Sequence, residues 1–154
     1  MQLLSDLGYP TTSDRARRQL RKGTAAGSDV IVAESRDAGV LGLASLQVAY
    51  CFAEDERHCE LTALVVRPDV RRQGLGRELV NAVERRATDA GCTSVHLRSG
   101  LQPERDAAHC FYEQLGYTGV PATDHVDYHK ALVVPPPHLA SRTERFASVA
   151  HVRR

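Results

Sequence analysis

Residues 60–91 read ELTALVVRPDVRRQGLGRELVNAVERRATDAG, and this stretch decides the fold. Its first seven residues are largely apolar on both alternating faces, which is typical of a strand inside a sheet that is covered on both sides. An Arg-Pro-Asp step at 67–69 ends that strand, because proline cannot donate the amide that a central ladder needs. Apolar residues then recur at helical spacing from Leu75 until Gly91, where glycine supplies the stop. The stretch therefore predicts a strand, a tight turn and a long amphipathic helix.

The turn between this strand and helix has the composition of an anion site. Its two glycines let another group approach the backbone closely, and the first helical turn offers unpaired N–H groups. Three arginines add positive charge beside them. The turn therefore predicts a site for a phosphate or pyrophosphate, and the residues expected to form it are Arg71, Arg72, Gln73, Gly74, Leu75, Gly76 and Arg77.

Two common phosphate-binding motifs do not fit this turn. A P-loop needs Gly-Lys-Ser/Thr, whereas Gly76 is followed by Arg77 and Glu78. A dinucleotide-binding fingerprint needs a third glycine or an alanine three residues after Gly76, and that position is Leu79. The turn therefore belongs to neither class.

The turn resembles the R/Q-x-x-G-x-G/A signature of the GNAT superfamily of acyl-CoA N-acyltransferases, through Arg71, Gly74 and Gly76. About thirty residues later, the segment 107–117, AAHCFYEQLGY, is similar to the A-x-x-FY-x-x-x-GF/GY segment of the same family. The resemblance covers roughly residues 29–132. It implies an α/β fold of the α+β kind, in which helices flank a mixed, mostly antiparallel twisted sheet.

Composition and charge restrict the function classes. The chain has 154 residues, of which 42% are hydrophobic and 25% charged, so its size and composition are those of one globular domain. Its formal net charge is only +1, so no overall electrostatic attraction draws it to nucleic acid or to a membrane. It has no run of about twenty apolar residues and no signal peptide, and no cysteine or histidine pair has metal-ligand spacing. We expect a cytoplasmic protein that binds no metal and has reduced thiols at Cys51, Cys59, Cys92 and Cys110.

Length and composition predict a single domain over residues 1–134, which the resemblance implies is an N-acetyltransferase domain. The pattern predicts that it starts with short helices over 1–8 and 14–22. Residues 135–154 begin with three prolines and form a basic tail, expected to be disordered or to pack as a short helix on a partner. Relatives begin with a strand and a full helix, and little precedes residue 1 to form that strand. Either the start is placed too late or the fold lacks this edge strand, and an open edge could pair two copies into a homodimer.

The resemblance implies acetyl-CoA as cosubstrate, with its diphosphate on the amides of residues 73–77. In the family fold two neighbouring strands separate to admit pantetheine, and here these would be residues 59–67 and 93–99. Pantetheine would then follow the backbone of Leu64, Val65 and Val66. Arg105 stands where many relatives carry an asparagine that contacts the cofactor. Its guanidinium could reach a CoA phosphate, or it could pair with Glu104 or Asp106.

The reaction implied is direct attack of a primary amine on the thioester. Tyr112 occupies the position of the general acid in many relatives, and a phenol with a pKa near 10 can donate its proton at neutral pH. Glu60 is the first choice for the base, on a strand face that it is expected to share with Thr62 and Leu64. His58, His109 or water are the alternatives. A backbone N–H near residue 65 would stabilise the oxyanion.

The preferred acceptor is a small-molecule amine, with slight support from an acidic loop at residues 54–56 that could attract a cation. Two alternatives remain: a protein N-acetyltransferase, and a CoA-binding regulatory or partner-binding module that has lost catalysis. Nucleic-acid binding is disfavoured, because the basic N-terminal helix lacks interleaved aromatic residues.

Overall fold

A computed structural model describes residues 13–133 and 149–153 of the chain. The short helix expected over residues 1–8 lies outside these residues. Within them the elements are three α-helices, α1 (Ser13–Ala25), α2 (Leu75–Asp89) and α3 (Asp106–Gln114), and seven strands, β1 (Ser28–Ser35), β2 (Gly39–Cys51), β3 (Glu56–Val66), β4 (Ser94–Gly100), β5 (Thr118–Pro121), β6 (His125–Ala131) and β7 (Val149–Arg153). No helix in the described part of the chain is long and apolar enough to cross a membrane.

The strands form one sheet in the order β5-β6-β4-β3-β2-β1-β7. β3 runs parallel to β4 and β1 parallel to β7, while the other neighbours are antiparallel. The predicted mixed, mostly antiparallel sheet flanked by helices is therefore confirmed. Gly39, at φ +67°, closes the turn between β1 and β2 in a conformation that favours glycine.

Helix α2 covers one face of the sheet, which we call the inner face. Its apolar side is buried along its whole length, as the periodicity of the sequence predicts; the buried residues are Leu75, Leu79, Val80, Val83 and Ala87. They pack with Ile31, Leu46 and Val95 in the hydrophobic core. The opposite face, which we call the outer face, carries polar side chains along β4, where His96 and Arg98 are exposed.

A buried ion pair fastens α2 to the first strand. The Oδ2 atom of Asp29 lies 2.6 Å from Nε of Arg86, and Asp29 also accepts a hydrogen bond from the backbone N–H of Val30. Asp29 is only 6% exposed, and a buried carboxylate is tolerated only when it is paired and hydrogen-bonded. The pair therefore fixes where α2 crosses β1.

A β-bulge interrupts the regular alternation of β3. Ser45 of β2 pairs with Ala63, but the next residue, Leu46, pairs with Leu61, so Thr62 is the extra residue. The Thr62 hydroxyl donates to the carbonyl of Ser45 across the bulge. Beyond it, Leu64 and Val66 pack against the core on the inner face, as Leu61 does before it. The expectation that Glu60 and Leu64 share a face is therefore wrong, because an extra residue reverses the alternation.

Residues 149–153, near the C-terminus, form a strand of the sheet. β7 pairs in parallel with β1, from Val30 opposite Val149 to Glu34 opposite Arg153, and α2 also contacts it. The prediction of a disordered or helical tail is wrong for these five residues, since the open hydrogen-bonding edge of β1 offers them backbone partners. With that edge paired, the reason given for a homodimer no longer applies to β1.

We predict that a chain ending at Ser148 is less stable than the full protein, because the backbone groups of β1 lose their partners. For a domain of this size, each kcal/mol lost from the free energy of unfolding lowers the melting temperature by roughly 2–4 °C. We therefore expect the melting temperature to fall by several degrees. The exposed edge should also increase self-association in sedimentation experiments. An unchanged melting temperature and unchanged sedimentation would contradict the pairing of β7 with β1.

Candidate active site

A slot opens where β3 and β4 separate. The two strands pair through His58 with Ser94, Cys59 with Val95 and Glu60 with His96. Beyond this third pair, residues 61–66 of β3 and 97–100 of β4 have no pairing with each other in the described chain. Backbone groups facing a gap of this kind need partners, so the slot can accept an extended molecule that carries amides. Leu64, Val65 and Val66, whose backbone is expected to bind pantetheine, lie within the unpaired part of β3.

The turn above the slot is held by two arginines. Arg67 makes a two-bond ion pair with Asp69, at 2.6 and 2.8 Å, and donates to the carbonyl of Ala38. Arg71 donates from Nε to the carbonyl of Val66 at 3.0 Å. Arg71 thus bonds the turn to the end of β3, a contact that the sequence pattern did not reveal. Arg67 was not singled out in the sequence, although its neighbour Asp69 could have suggested the pair.

The start of α2 presents unpaired backbone amides to this turn. Gly74 is the N-cap at φ +87°, and no described side chain caps the helix. The first intrahelical bond runs from the N–H of Glu78 to the carbonyl of Gly74, so the amides before it, from Leu75 to Arg77, have no helical acceptor. The exposed side chains of Arg72 and Arg77 lie beside them. Amides, helix dipole and arginines together favour an anionic group here.

Gly76 has a packing role that the sequence did not indicate. A Cβ atom built at this position would lie 3.3 Å from Cζ of Phe111 on α3 and 3.9 Å from Cγ2 of Val66. The glycine therefore lets α3 approach the first turn of α2. The sequence attributed this glycine to the approach of a ligand; the close neighbour in the structure is the Phe111 ring.

Tyr112 lies half-buried on α3 among aromatic rings. Its ring centroid is 5.3 Å from that of Phe111, 5.6 Å from Tyr128 and 6.0 Å from Tyr117. No described residue hydrogen-bonds its hydroxyl. Burial raises the pKa of Tyr112 to about 12, although the nearby charge of Arg105 acts in the opposite direction. The hydroxyl therefore carries its proton at neutral pH and is free to donate it.

Arg105 lies just before α3, at the C-terminal end of a short 3₁₀ turn, Pro103–Arg105. Burial raises the pKa of Tyr112, and the charge of Arg105 acts in the opposite direction. A cation in this position also favours an anion that forms beside Tyr112. The structure gives Arg105 no ion pair with Glu104 or Asp106 among the described residues.

Glu60 lies exposed on the outer face, at the point where the slot begins. Because Tyr112 packs against the inner-face core, the two predicted catalytic groups lie on opposite sides of the sheet near the same opening. Tyr128, which contacts Tyr112, is paired with Leu97, one residue beyond the end of the β3–β4 pairing. A molecule threaded through the slot would therefore have Glu60 on one side and Tyr112 on the other.

His109 is bonded through both ring nitrogens. Its Nε2 lies 2.9 Å from the carbonyl of Gly100, and its Nδ1 lies 2.8 Å from the Tyr128 hydroxyl. Because a carbonyl can only accept, Nε2 carries the hydrogen, and in the neutral ring Nδ1 accepts from Tyr128. The side chain thus ties α3 to β4 and β6. This structural use makes His109 a weaker alternative base than the sequence allowed.

The acidic loop at residues 54–56 is partly engaged within the chain. Asp55 accepts a hydrogen bond from the Tyr50 hydroxyl, and Glu56 accepts one from the Thr93 hydroxyl at 2.7 Å. Glu54 has no such bond in the described chain. Desolvation lowers the pKa of His96, and the charge of Glu54 acts in the opposite direction. Within this loop, Glu54 is the carboxylate best placed to attract a cation toward the outer face.

The cysteines and potential metal ligands offer no further site. All four cysteines are free, with Cys59 and Cys92 buried in the core and Cys110 exposed. Burial raises the pKa of Cys59 to about 12, so that its thiol is unreactive. In the described residues, no group of three or more histidine, cysteine or acidic side chains could hold a metal ion.

The chain matches the model of the acetyltransferase (GNAT) family over residues 3–117. No curated protein sequence matches it. Among solved structures, an acetyltransferase of Trypanosoma brucei is similar with a TM-score of 0.65 and 24% identity, over 79% of this chain and 85% of that chain.

Two further solved structures share the fold. A GNAT-family protein of Desulfovibrio desulfuricans has a TM-score of 0.56 and 19% identity, over 64% of this chain and 66% of that one. The PaiA N-acetyltransferase of Thermoplasma acidophilum, in complex with coenzyme A, has a TM-score of 0.53 and 18% identity, over 62% of this chain and 55% of that one. At these identities the likeness concerns the fold.

We predict that His109→Ala destabilises the protein, because the Gly100 carbonyl and the Tyr128 hydroxyl lose their partner. An unsatisfied buried polar group costs about 1–3 kcal/mol, measurable by urea unfolding. Tyr128→Phe is the matched control: it keeps the bond between His109 and Gly100, so its loss should be smaller. Equal stability of His109→Ala and the natural protein would show that the bridge contributes nothing.

Proposed function

This chain belongs to the GNAT family of acetyltransferases, and on that premise we propose that it transfers an acetyl group from acetyl-CoA to the primary amine of a small molecule. The observation that supports the proposal is the loss of pairing between β3 and β4 beyond Glu60 and His96, together with the uncapped start of α2 after Gly74. Such an arrangement suits a long cosubstrate with a diphosphate, two amides and a reactive thioester.

The diphosphate, the pantetheine amides and the thioester of acetyl-CoA would each bind to a successive part of the slot. The diphosphate would bind at the amides that follow Gly74, where Arg72 and Arg77 add charge. Pantetheine amides would pair with the backbone of residues 64–66, in the place of a missing strand neighbour. The thioester would then lie where the strands part, beside Glu60. Arg105 is available to a phosphate or to the thiolate that forms.

The chemistry follows from the two titratable groups on either side. The amine attacks the thioester carbonyl, so that a C–N bond forms and the C–S bond breaks. Glu60 lies where it can accept a proton from the amine, directly or through water. Tyr112 returns a proton to the departing thiolate, since its raised pKa keeps it protonated. An N–H of residue 65 would stabilise the oxyanion.

The acceptor would approach from the outer face, where Glu60 and Glu54 favour a cationic amine. A small molecule is the proposed acceptor, and the exposed carboxylate of Glu60 where the β3–β4 pairing ends, with the acidic loop at residues 54–56, supports a cationic amine. We also propose a cytoplasmic location, which four free cysteines support.

The direct test is thermal unfolding with and without acetyl-CoA, followed by thiol release against a panel of amines. Ligand that binds the folded state raises its melting temperature, and turnover releases CoA thiol. Gly74→Val is the control, since a β-branched residue at φ +87° should disrupt the turn and remove the shift. A shift without turnover on a broad panel would favour a catalytically silent CoA-binding module. No shift at millimolar acetyl-CoA would refute the site.

We predict that Tyr112→Phe lowers kcat by about 100-fold, within the usual range for loss of a general acid, and leaves KM for acetyl-CoA within about twofold. Tyr117→Phe is a matched control, because the Tyr117 hydroxyl bonds to Glu84 instead of facing the slot; its kcat should be unchanged. In the natural enzyme the proton of Tyr112 is lost only as pH rises toward about 12. Full activity of Tyr112→Phe would remove the phenol from the mechanism.

A further inference from the structure

Three histidines form a row across the outer face. His58, His96 and His129 come from the neighbouring strands β3, β4 and β6, and we call them the histidine row. The ring centroid of His96 is 5.0 Å from that of His58 and 6.3 Å from that of His129. His96 and His129 are exposed and His58 is half-buried. The sequence showed no pattern here, since the three residues are 38 and 33 positions apart along the chain and meet only through strand pairing.

His96, the middle residue of the histidine row, lies where the pairing of β3 and β4 ends. Glu60 and His96 are direct partners across β3 and β4, and theirs is the last pair before the strands part. Both side chains leave the sheet on the outer face, because their neighbours Cys59 and Val95 are buried on the inner one. Any group that reaches the apex of the slot from the outer face therefore meets Glu60 and His96 together.

His96 has a hydrogen-bond partner that leaves one ring nitrogen available. Its Nε2 lies 2.8 Å from the Ser94 hydroxyl. When Nε2–H donates to Ser94, Nδ1 keeps its lone pair and can accept a proton. No described residue bonds Nδ1. The ring can therefore act as a base without losing the contact that orients it.

The charges around His96 keep it in the neutral, proton-accepting form. Partial desolvation, followed by the neighbouring His58 and His129, lowers the pKa of His96, while the carboxylates of Glu54 and Glu60 act in the opposite direction. On its own strand, Arg98 is paired with Asp127 of β6 at 3.0 Å, and Asp127 also contacts His125. The lowered pKa favours the neutral imidazole at pH 7, and this is the form that can accept a proton.

We propose that His96 is a second proton acceptor for the acetyl transfer, and that it shares with Glu60 the proton released by the attacking amine at the apex of the slot. The inference rests on the proposed function. The amine nitrogen forms the C–N bond and gives its proton to the His96 imidazole, the C–S bond breaks, and the thiolate takes the proton of Tyr112. Release of a proton from His96 and uptake of one by Tyr112 then restore both groups, so that the products are the amide and CoA thiol.

The test is the pH dependence of kcat/KM for the amine in His96→Gln, Glu60→Gln and the double variant. Removal of one of two bases should lower kcat about 10-fold and removal of both at least about 100-fold, within the usual range for general base catalysis. KM for acetyl-CoA should stay within about twofold. In His96→Gln the loss of activity on acidification should move to lower pH or disappear, since protonation of this ring inactivates the base.

His129→Asn is the matched variant that keeps the proposed base. It removes one of the two histidines whose charge lowers the pKa of His96, so the acidic limb should move to higher pH while the rate on the plateau stays within about twofold. A purely structural role for the row would change the plateau or the stability and leave the limb in place.

The outcomes separate this inference from the proposed function. Amine acetylation by His96→Gln with the rate and pH profile of the natural enzyme would overturn the role of His96 and leave the function standing. A failure of the natural enzyme to acetylate any amine would overturn both. A reduced rate with a displaced acidic limb in His96→Gln, together with the opposite displacement in His129→Asn, is the result that we expect.

Discussion

The separation of β3 from β4 is the constraint on which the site depends. Two parallel strands that pair through three residues and then part leave backbone N–H and C=O groups facing a gap. Such groups must be satisfied by water or by a ligand that carries its own amides. The fold can maintain this gap because each strand is firmly paired on its other side, β3 with β2 over ten residue pairs and β4 with β6 over seven. The cosubstrate would act as the missing strand neighbour.

The bulge at Thr62 determines which side chains of β3 lie on each face of the sheet beside that gap. Before it, Glu60 lies on the outer face; after it, Leu64 and Val66 return to the inner core. Without the extra residue, the same sequence would turn Leu64 and Val66 to the outer face and Ala63 and Val65 to the inner face beneath α2. The bulge thus allows one strand to carry a carboxylate on the outer face and apolar side chains on the inner face within the seven residues 60–66.

The elements around the slot are held by contacts far apart in sequence. Asp29 and Arg86 fix α2 to β1, the Phe111 ring fits against Gly76, and His109 joins α3 to β4 and β6. Together these contacts hold α2 and α3, and with them the start of α2 and the Tyr112 side chain, against the sheet. Strand pairing brings the histidine row together on the outer face. The C-terminal strand β7 completes the sheet beside β1, at a distance from this chemistry.

The sequence by itself predicted the strand, turn and helix of residues 60–91, because local periodicity and turn chemistry encode them. Its resemblance to the GNAT family, rather than periodicity, singled out Tyr112. The sequence did not determine the faces of β3, since a bulge arises from pairing with β2. Nor did it place β7, which needs the distant edge of β1, or His96, which acquires its neighbours through the sheet. Those features depend on contacts between distant residues, and only the tertiary structure decides them.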